Sequence, residues 1–481
     1  MKTTLITAAA LSLALLPAFA QVETTPPPPA APRQLQIPKP VEKTLANGLR
    51  VIVTEKKGVP LVAARLLIKN GGEADPANLP GLADTAASLL TKGTTTKSAE
   101  EIARGIEALG ATLDTGAGWD ESSADVSVMS SKLPQALAFL ADVVRHPTFK
   151  QEEIDRLRQQ NIDALSVAMK QPGRLASFVM THAIFGNSPY GHNLGGTPQS
   201  LAAIKRDDIV AFHREYYRPN NAILILGGDI APARAFAIAQ EQFGTWKGAP
   251  ELARVLAAAK DFPSPRVIVV DMPAAGQAAV VAGRPGLRRA DPAYHLSLVA
   301  NSILGGGYSS RLNEEIRIKR GLSYGAGSSF DLRSDVGPFT ATVQTKNESA
   351  GEVAGLVVDE LNKLGTTPVE DAELGPRKAV LIGGFGRQLE TNAGIVSRIG
   401  TLALYGLDLD EINRYISGVQ AITAADVQKF AAAHLGGNDA SIVIVGDAKK
   451  FLPALQQRFK NVEVIPIDEL DVNSATLRKA K

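Results

Sequence analysis

Cysteine is absent from the 481-residue sequence, which excludes disulfide bonds, thiolate metal sites and a cysteine nucleophile. Charge of one sign is not in excess either. Lysine and arginine together number 51, against 49 aspartates and glutamates, and the formal net charge is +2. We therefore expect no nucleic-acid partner and no polybasic binding to a membrane surface.

Histidine is scarce, and no two histidines have the i, i+4 spacing that puts two imidazoles on one helical face. The six are His146, His182, His192, His213, His295 and His434. Serine offers no clear alternative, because Ser-x-x-Lys occurs nowhere in a context that would activate the hydroxyl. A zinc site built from scattered histidines stays open, but no motif of this chain predicts a self-contained catalytic centre.

Long apolar runs are missing except at the start, where Lys2 precedes Leu5 to Leu16 and the small-residue site Ala18-Phe19-Ala20 follows. This pattern predicts a cleavable signal peptide over 1–20, and no membrane association after its removal. Pro26 to Pro29 then lie in a proline-rich stretch that predicts an extended tether over 21–40.

An internal repeat is the clearest organisational feature. Ile204 to Phe212 recurs as Ile422 to Phe430, 218 residues later, and each copy continues through a helix into an aliphatic strand that ends on Gly-Asp. This repeat predicts two duplicated domains of the α+β class, each a mixed or antiparallel sheet with helices packed on one face. We place them at 41–250 and 265–470, with a linker at 251–264 and a tail at 471–481.

Periodicity predicts the elements of the first domain in more detail. Strand patterns cover residues 51–53 and 61–68, and helical patterns cover 82–90, 98–109, 133–144 and 151–169. One acidic cluster accompanies them, formed by Asp114, Asp120, Glu121 and Asp125. Paired carboxylates can perform acid-base catalysis, but a polar strand and turn explains this cluster more simply.

The segments Gly81-Leu82-Ala83 and Leu90-Thr91-Lys92-Gly93-Thr94 resemble the frame of the zinc motif in pitrilysin/insulinase-type peptidases. In that family the frame encloses His-x-x-Glu-His, whose histidines bind zinc and whose glutamate activates water. Asp84 and Ser88 stand here at the histidine positions and Ala87 at the glutamate position. Ala164, or Asp163 in another register, stands at the third ligand. The resemblance thus implies a degenerate site that binds no metal.

The second half is similar to the family's C-terminal signature through Ser310-Arg311-Leu312 and Gly321-Leu322-Ser323-Tyr324-Gly325. The family's paired arginine and tyrosine match Arg317 and Tyr324. The resemblance therefore implies a zinc-less subunit of a periplasmic heterodimer, with zinc only in a homologous partner. Arg317 and Tyr324 would bind the peptide substrate and stabilise the transition state there, and peptidase activity would require the complex.

Two other functions stay open at this point. The chain could be a structural or peptide-binding scaffold that merely retains Arg317 and Tyr324. It could also be a self-sufficient hydrolase that uses a site with no recognisable motif. Metal content and hydrolysis by the purified chain separate the second alternative from the first.

Overall fold

The computed structural model describes residues 36–247 and 262–479. The predicted signal peptide, residues 21–35 of the predicted tether and residues 251–261 of the predicted linker lie outside these ranges. No helix within the two described ranges combines the length and apolarity needed to cross a bilayer.

The first of two six-stranded sheets has the strand order β1-β2-β6-β3-β5-β4. Its strands are β1 (Val41–Thr44), β2 (Arg50–Glu55), β3 (Leu61–Ile68), β4 (Thr112–Ala117), β5 (Ser122–Met129) and β6 (Ala222–Gly228). The helices of this half are α1 (Leu82–Leu89), α2 (Ala99–Ala108), α3 (Leu133–Arg145), α4 (Gln151–Ala168), α5 (Pro172–Phe185), α6 (Pro198–Ala203), α7 (Arg206–Tyr216) and α8 (Pro232–Phe243).

The second sheet has the order β12-β7-β11-β8-β10-β9. Its strands are β7 (Val267–Asp271), β8 (Ala278–Pro285), β9 (Ser323–Phe330), β10 (Pro338–Thr345), β11 (Ser441–Gly446) and β12 (Val462–Pro466). The helices of this half are α9 (Tyr294–Leu304), α10 (Arg311–Asn313), α11 (Ala350–Thr366), α12 (Asp371–Gln388), α13 (Asn392–Leu404), α14 (Glu411–Ala421), α15 (Ala424–His434) and α16 (Leu452–Arg458).

The two sheets repeat one pairing scheme. In the first, β6 pairs parallel with β2 and antiparallel with β3, and β5 lies between β3 and β4. In the second, β11 pairs parallel with β7 and antiparallel with β8, and β10 lies between β8 and β9. The sheets differ only in the strand at the other edge. In the first sheet this strand is β1, antiparallel to β2, and in the second it is β12, parallel to β7. The predicted fold class, with its duplication, is confirmed.

Each half covers the free face of the other half's sheet. Helix α5, from the first half, packs on β8 and β11, and α13, from the second half, packs on β3 and β6. Strands buried on both faces need apolar residues at every position, and β6 is accordingly buried along its whole length. The duplicated halves are therefore joined through hydrophobic cores as well as through the chain.

A buried carboxylate also joins the halves. Asp120, only 2% exposed, accepts hydrogen bonds from the Tyr190 hydroxyl of the first half, and from the Tyr405 hydroxyl and the Ser334 backbone N–H of the second. Burial and the neighbouring Asp120 carboxylate raise the pKa of both tyrosines, so both remain hydrogen-bond donors.

The predicted elements of the first half agree closely with the structure. The predicted strand at 61–68 is β3, and the four predicted helices are α1 to α4 with ends shifted by at most two residues. The repeated strands end at Gly228 and Gly446, as the repeat requires. The residue-level domain boundaries stay a prediction.

We predict that Gly227→Ala destabilises the protein by about 1–3 kcal/mol, since overpacking a filled core costs this much. A Cβ at Gly227, on β6, would lie 2.7 Å from Cγ2 of Val396 on α13. Chemical denaturation of the variant measures the effect. The control is Gly386→Ala on α12, where a Cβ meets no atom within 4 Å. An equal loss of stability in the two variants would contradict the close packing of α13 on β6.

Candidate functional site

Helix α1 carries the degenerate motif, and its start is fixed by a carboxylate from the preceding loop. Asp75 accepts hydrogen bonds from the backbone N–H groups of Gly81 and Ala83, both at 2.7 Å. These bonds satisfy backbone N–H groups at the start of the helix, which have no carbonyl acceptor within the helix itself. Burial nevertheless raises the pKa of Asp75 to about 8, because the low-dielectric surroundings outweigh the two N–H groups.

The motif positions on α1 offer little to a metal ion. Ala87 is completely buried and has no side-chain atom that could bind a metal ion. Asp84 and Ser88 are half-buried. Burial raises the pKa of Asp84, which weakens it further as a ligand because the metal needs the ionised form. One carboxylate and one hydroxyl do not reproduce the nitrogen ligands that zinc prefers.

Helix α4 packs against α1 and carries the position of the third ligand. Ala164 is exposed there. Asp163 is exposed as well, and its Oδ1 accepts a hydrogen bond from Nε2 of Gln159 at 2.9 Å, one turn earlier on the same helix. Across residues 36–247 and 262–479, no three histidine, aspartate or glutamate side chains cluster closely enough to hold a metal.

Arg317 and Tyr324 are brought together at the edge of the second sheet. Arg317 lies in a π-helical turn, Glu314–Lys319, that extends α10. Tyr324 lies on the edge strand β9, and the Arg317 Cζ is 4.8 Å from the centroid of its ring. The Tyr324 side chain is 89% exposed. This is the geometry of a cation–π contact on an open surface.

Both residues sit on local irregularities of the backbone. The π-helical turn changes the pitch around Arg317, a feature often found at functional sites. In β9 a bulge sets Tyr324 and Gly325 opposite the single residue Gln344 of β10. Between them, Gly321 makes the reversal with φ of +63°, a conformation that favours glycine.

The charge of Arg317 is not neutralised by an acidic side chain of the described residues, since its guanidinium forms no ion pair with any of them. The nearby carboxylate of Glu315 bonds instead to Arg320 at 2.8 Å and to Lys319 at 3.5 Å. These bonds to Arg320 and Lys319 lower the pKa of Glu315 and keep it ionised. Arg317 thus keeps its N–H donors for an acceptor from outside.

Tyr308 belongs to the same group and was not predicted. Its ring centroid is 4.7 Å from the Arg317 Cζ, so the guanidinium contacts two aromatic rings, and Tyr308 is itself 65% exposed. The sequence signal was weak: a tyrosine directly after Gly305-Gly306-Gly307, nine residues before Arg317. The glycine run has neither the lysine of a P-loop nor the spacing of a dinucleotide-binding loop.

An open cleft adjoins Tyr324 and extends across the neighbouring strands β10 and β8. Its volume is about 430 Å³, and the residues lining it carry no ionisable side chain apart from the Tyr324 phenol. They include Gly173, Ser177, Ala279, Val281 and Thr342. A cleft of this size and polarity beside a free guanidinium suits an extended peptide with an uncharged side chain.

The acidic cluster of the first half does not assemble into a catalytic pair. Arg65 holds Glu121 at 2.9 Å and Asp125 at 3.4 Å, while Asp120 is turned toward the tyrosines of the interface between the halves. These contacts support the interpretation of the cluster as a polar strand and turn, in which the carboxylates bind structural partners.

Comparison with known families accounts for most of the chain. Residues 50–197 match the family described as Insulinase (Peptidase family M16), and residues 203–381 match the Peptidase M16 inactive domain. A crystal structure titled peptidase M16 inactive domain, from Pseudomonas fluorescens, is 30% identical with a TM-score of 0.79, covering 85% of this chain and 98% of that one. The chain belongs to the M16 peptidase family.

Curated relatives in the M16 family carry two kinds of description. An uncharacterized zinc protease of Mycobacterium bovis is 27% identical over 88% of this chain and 97% of its own length. The non-peptidase homolog YmxG of Helicobacter pylori is 25% identical over 83% of this chain and 92% of its own length. The predicted resemblance is confirmed, and this M16 chain carries no zinc ligand of the family type at Asp84, Ser88 or Ala164.

We predict that the triple variant Asp84→His, Ser88→His, Ala164→Glu gains a zinc site, because α1 and α4 pack against each other and the new side chains restore the family's ligand set. Metal analysis should give about one zinc per chain. Peptidase activity should stay absent because Ala87 supplies no general base.

The matched control is the double variant Asp84→His, Ser88→His, which lacks the α4 ligand and should bind zinc at least about tenfold more weakly. Equal affinity of the two variants, or no zinc in either, would show that Ala164 does not face the motif positions of α1.

Proposed function

We propose that this chain is the zinc-less subunit of a periplasmic heterodimeric metallopeptidase. It pairs with a homologous, zinc-bearing M16 subunit and lends Arg317 and Tyr324 to the partner's site, while zinc and the general base belong to the partner. The observation that carries this proposal is the half-buried Arg317, held against two exposed tyrosine rings and without an acidic partner among the described residues.

The chemistry of peptide hydrolysis needs such a group. Attack of zinc-bound water on a peptide carbonyl places negative charge on the carbonyl oxygen, and donors aimed at that oxygen lower the barrier. A guanidinium offers several N–H donors in one plane, and a tyrosine hydroxyl offers one more. An arginine already neutralised by a carboxylate of its own chain would serve poorly, and Arg317 has none within the described ranges.

The sheet edges support an extended substrate. Strands β4 and β9 are edge strands of their sheets, and an edge strand has free backbone groups that can pair with a peptide. The cleft beside Tyr324 includes the first three residues of β9, Ser323 to Gly325, and extends across β10 to β8. A peptide bound there would pass Arg317 while its scissile bond faces the partner subunit.

Two features support secretion of this chain. The signal-peptide pattern of residues 1–20 favours export, and the absence of cysteine is compatible with an oxidising compartment. The two proposed domains have different roles. The first, 41–250, carries the degenerate zinc motif, and the second, 265–470, carries the hydrogen-bond donors Arg317 and Tyr324.

We predict that Arg317→Ala lowers kcat/KM of the assembled complex by about a hundredfold, and Tyr324→Phe by about tenfold or more, because each removes a donor to the developing oxyanion. The measurement is hydrolysis of a fluorogenic peptide by this chain co-purified with its zinc-bearing partner. The partner should contain the only zinc, and the chain alone should be inactive.

The matched control is Arg414→Ala, since Arg414 is an exposed arginine of the same half that pairs with Asp408 and Asp410. It should leave activity unchanged. Full activity of the Arg317→Ala and Tyr324→Phe complexes would instead make this chain a scaffold subunit. Hydrolysis by the chain alone that a chelator abolishes would point to an unrecognised site of its own.

A further inference from the structure

The Arg317 guanidinium contacts the rings of two tyrosines. Its Cζ is 4.7 Å from the ring centroid of Tyr308 and 4.8 Å from that of Tyr324. A planar guanidinium stacked on aromatic rings keeps its N–H groups at its edge, where they remain free to donate hydrogen bonds. Two rings restrict its position more than one ring can.

One buried side chain, that of Asn313, connects the turn carrying Tyr308 to the strand carrying Tyr324 by hydrogen bonds. Asn313 is only 3% exposed. Its Nδ2 donates to the backbone carbonyl of Tyr308, and its Oδ1 accepts from the backbone N–H of Ala326 on β9 at 3.1 Å. Because a buried amide that loses a partner is costly, Asn313 holds the turn and the strand at a set spacing.

Further hydrogen bonds hold the turn on either side of Tyr308. The carbonyl of Gly305 accepts from the Ser328 backbone N–H at 3.1 Å, and the carbonyl of Ser309 accepts from the Arg377 guanidinium. The glycine-rich turn is therefore anchored to β9 and to α12. An exposed tyrosine on an anchored turn keeps its ring in place without being buried itself.

We propose that Tyr308 is a positioning residue for Arg317. Its ring contacts the guanidinium in addition to the ring of Tyr324 and restricts its movement, so that the N–H edge is directed toward an oxygen of the bound peptide. The inference rests on the proposed function and deepens it, because it names a third residue of the same site. Tyr308 acts through Arg317 and need not touch the substrate.

The first test compares Tyr308→Leu and Tyr308→Gln with Tyr308→Phe in the complex with the zinc-bearing partner. The phenylalanine variant keeps the ring and should retain activity. The two non-aromatic variants should lower kcat by about three- to fivefold, with a smaller change in KM, which is the size expected for one exposed ring–guanidinium contact. Since Tyr308 is 65% exposed, all three should fold, which thermal melting checks.

The second test uses chemical rescue, which a merely structural role would not affect. In the Arg317→Ala complex the place of the guanidinium beside the two rings is vacated, and added ethylguanidinium should restore part of the activity. When Tyr308→Leu is combined with Arg317→Ala, rescue should need a several-fold higher ethylguanidinium concentration, because one ring of the pair is gone.

The outcomes separate the inference from the proposed function. If Arg317→Ala lowers activity, but Tyr308→Leu and Tyr308→Gln match Tyr308→Phe and rescue is equal with and without Tyr308, the positioning role is wrong and the proposed function stands. If Arg317→Ala leaves activity unchanged, both are wrong.

Discussion

The reciprocal exchange of α5 and α13 is the constraint on which the rest of the structure depends. Each helix covers the sheet of the opposite half, so neither sheet can bury both faces without the other half. Close approach is possible because Gly227 and Gly283 leave room for side chains of the incoming helices. The bonds from Tyr190 and Tyr405 to Asp120 add a polar connection between the halves. The edge strands β4 and β9 therefore belong to sheets that are stabilised by packing between the two halves.

Regular structure in the core contrasts with irregular structure at the candidate site. Arg317 lies in a π-helical turn, Tyr324 on a β-bulge and Tyr308 on an anchored turn after three glycines. Two of the three side chains, Tyr308 and Tyr324, are largely exposed, so they contribute little to the core. Local departures from regular geometry that persist on a stable scaffold are characteristic of binding and catalytic sites.

The sequence predicts much of this fold for physical reasons. The pattern over Leu61–Ile68 shows a buried strand, and the repeat in two copies shows duplication. Periodicity does not reveal which sheet an apolar helix covers, so the exchange of α5 and α13 could not be predicted. In the site, Arg317 and Tyr324 were recognised through a family frame. Tyr308 has no periodic signal, because its contact with Arg317 depends on the path of a loop.

The central claim is that a chain without its own metal ligands completes the zinc site of a homologous partner. The most direct measurement is a cryo-EM or crystal structure of the two-subunit complex with a bound peptide analogue. We expect zinc in the partner alone, with the Arg317 guanidinium and Tyr324 hydroxyl within hydrogen-bonding reach of peptide oxygens beside it. An Arg317 directed away from the peptide, or zinc bound at α1 of this chain, would contradict it.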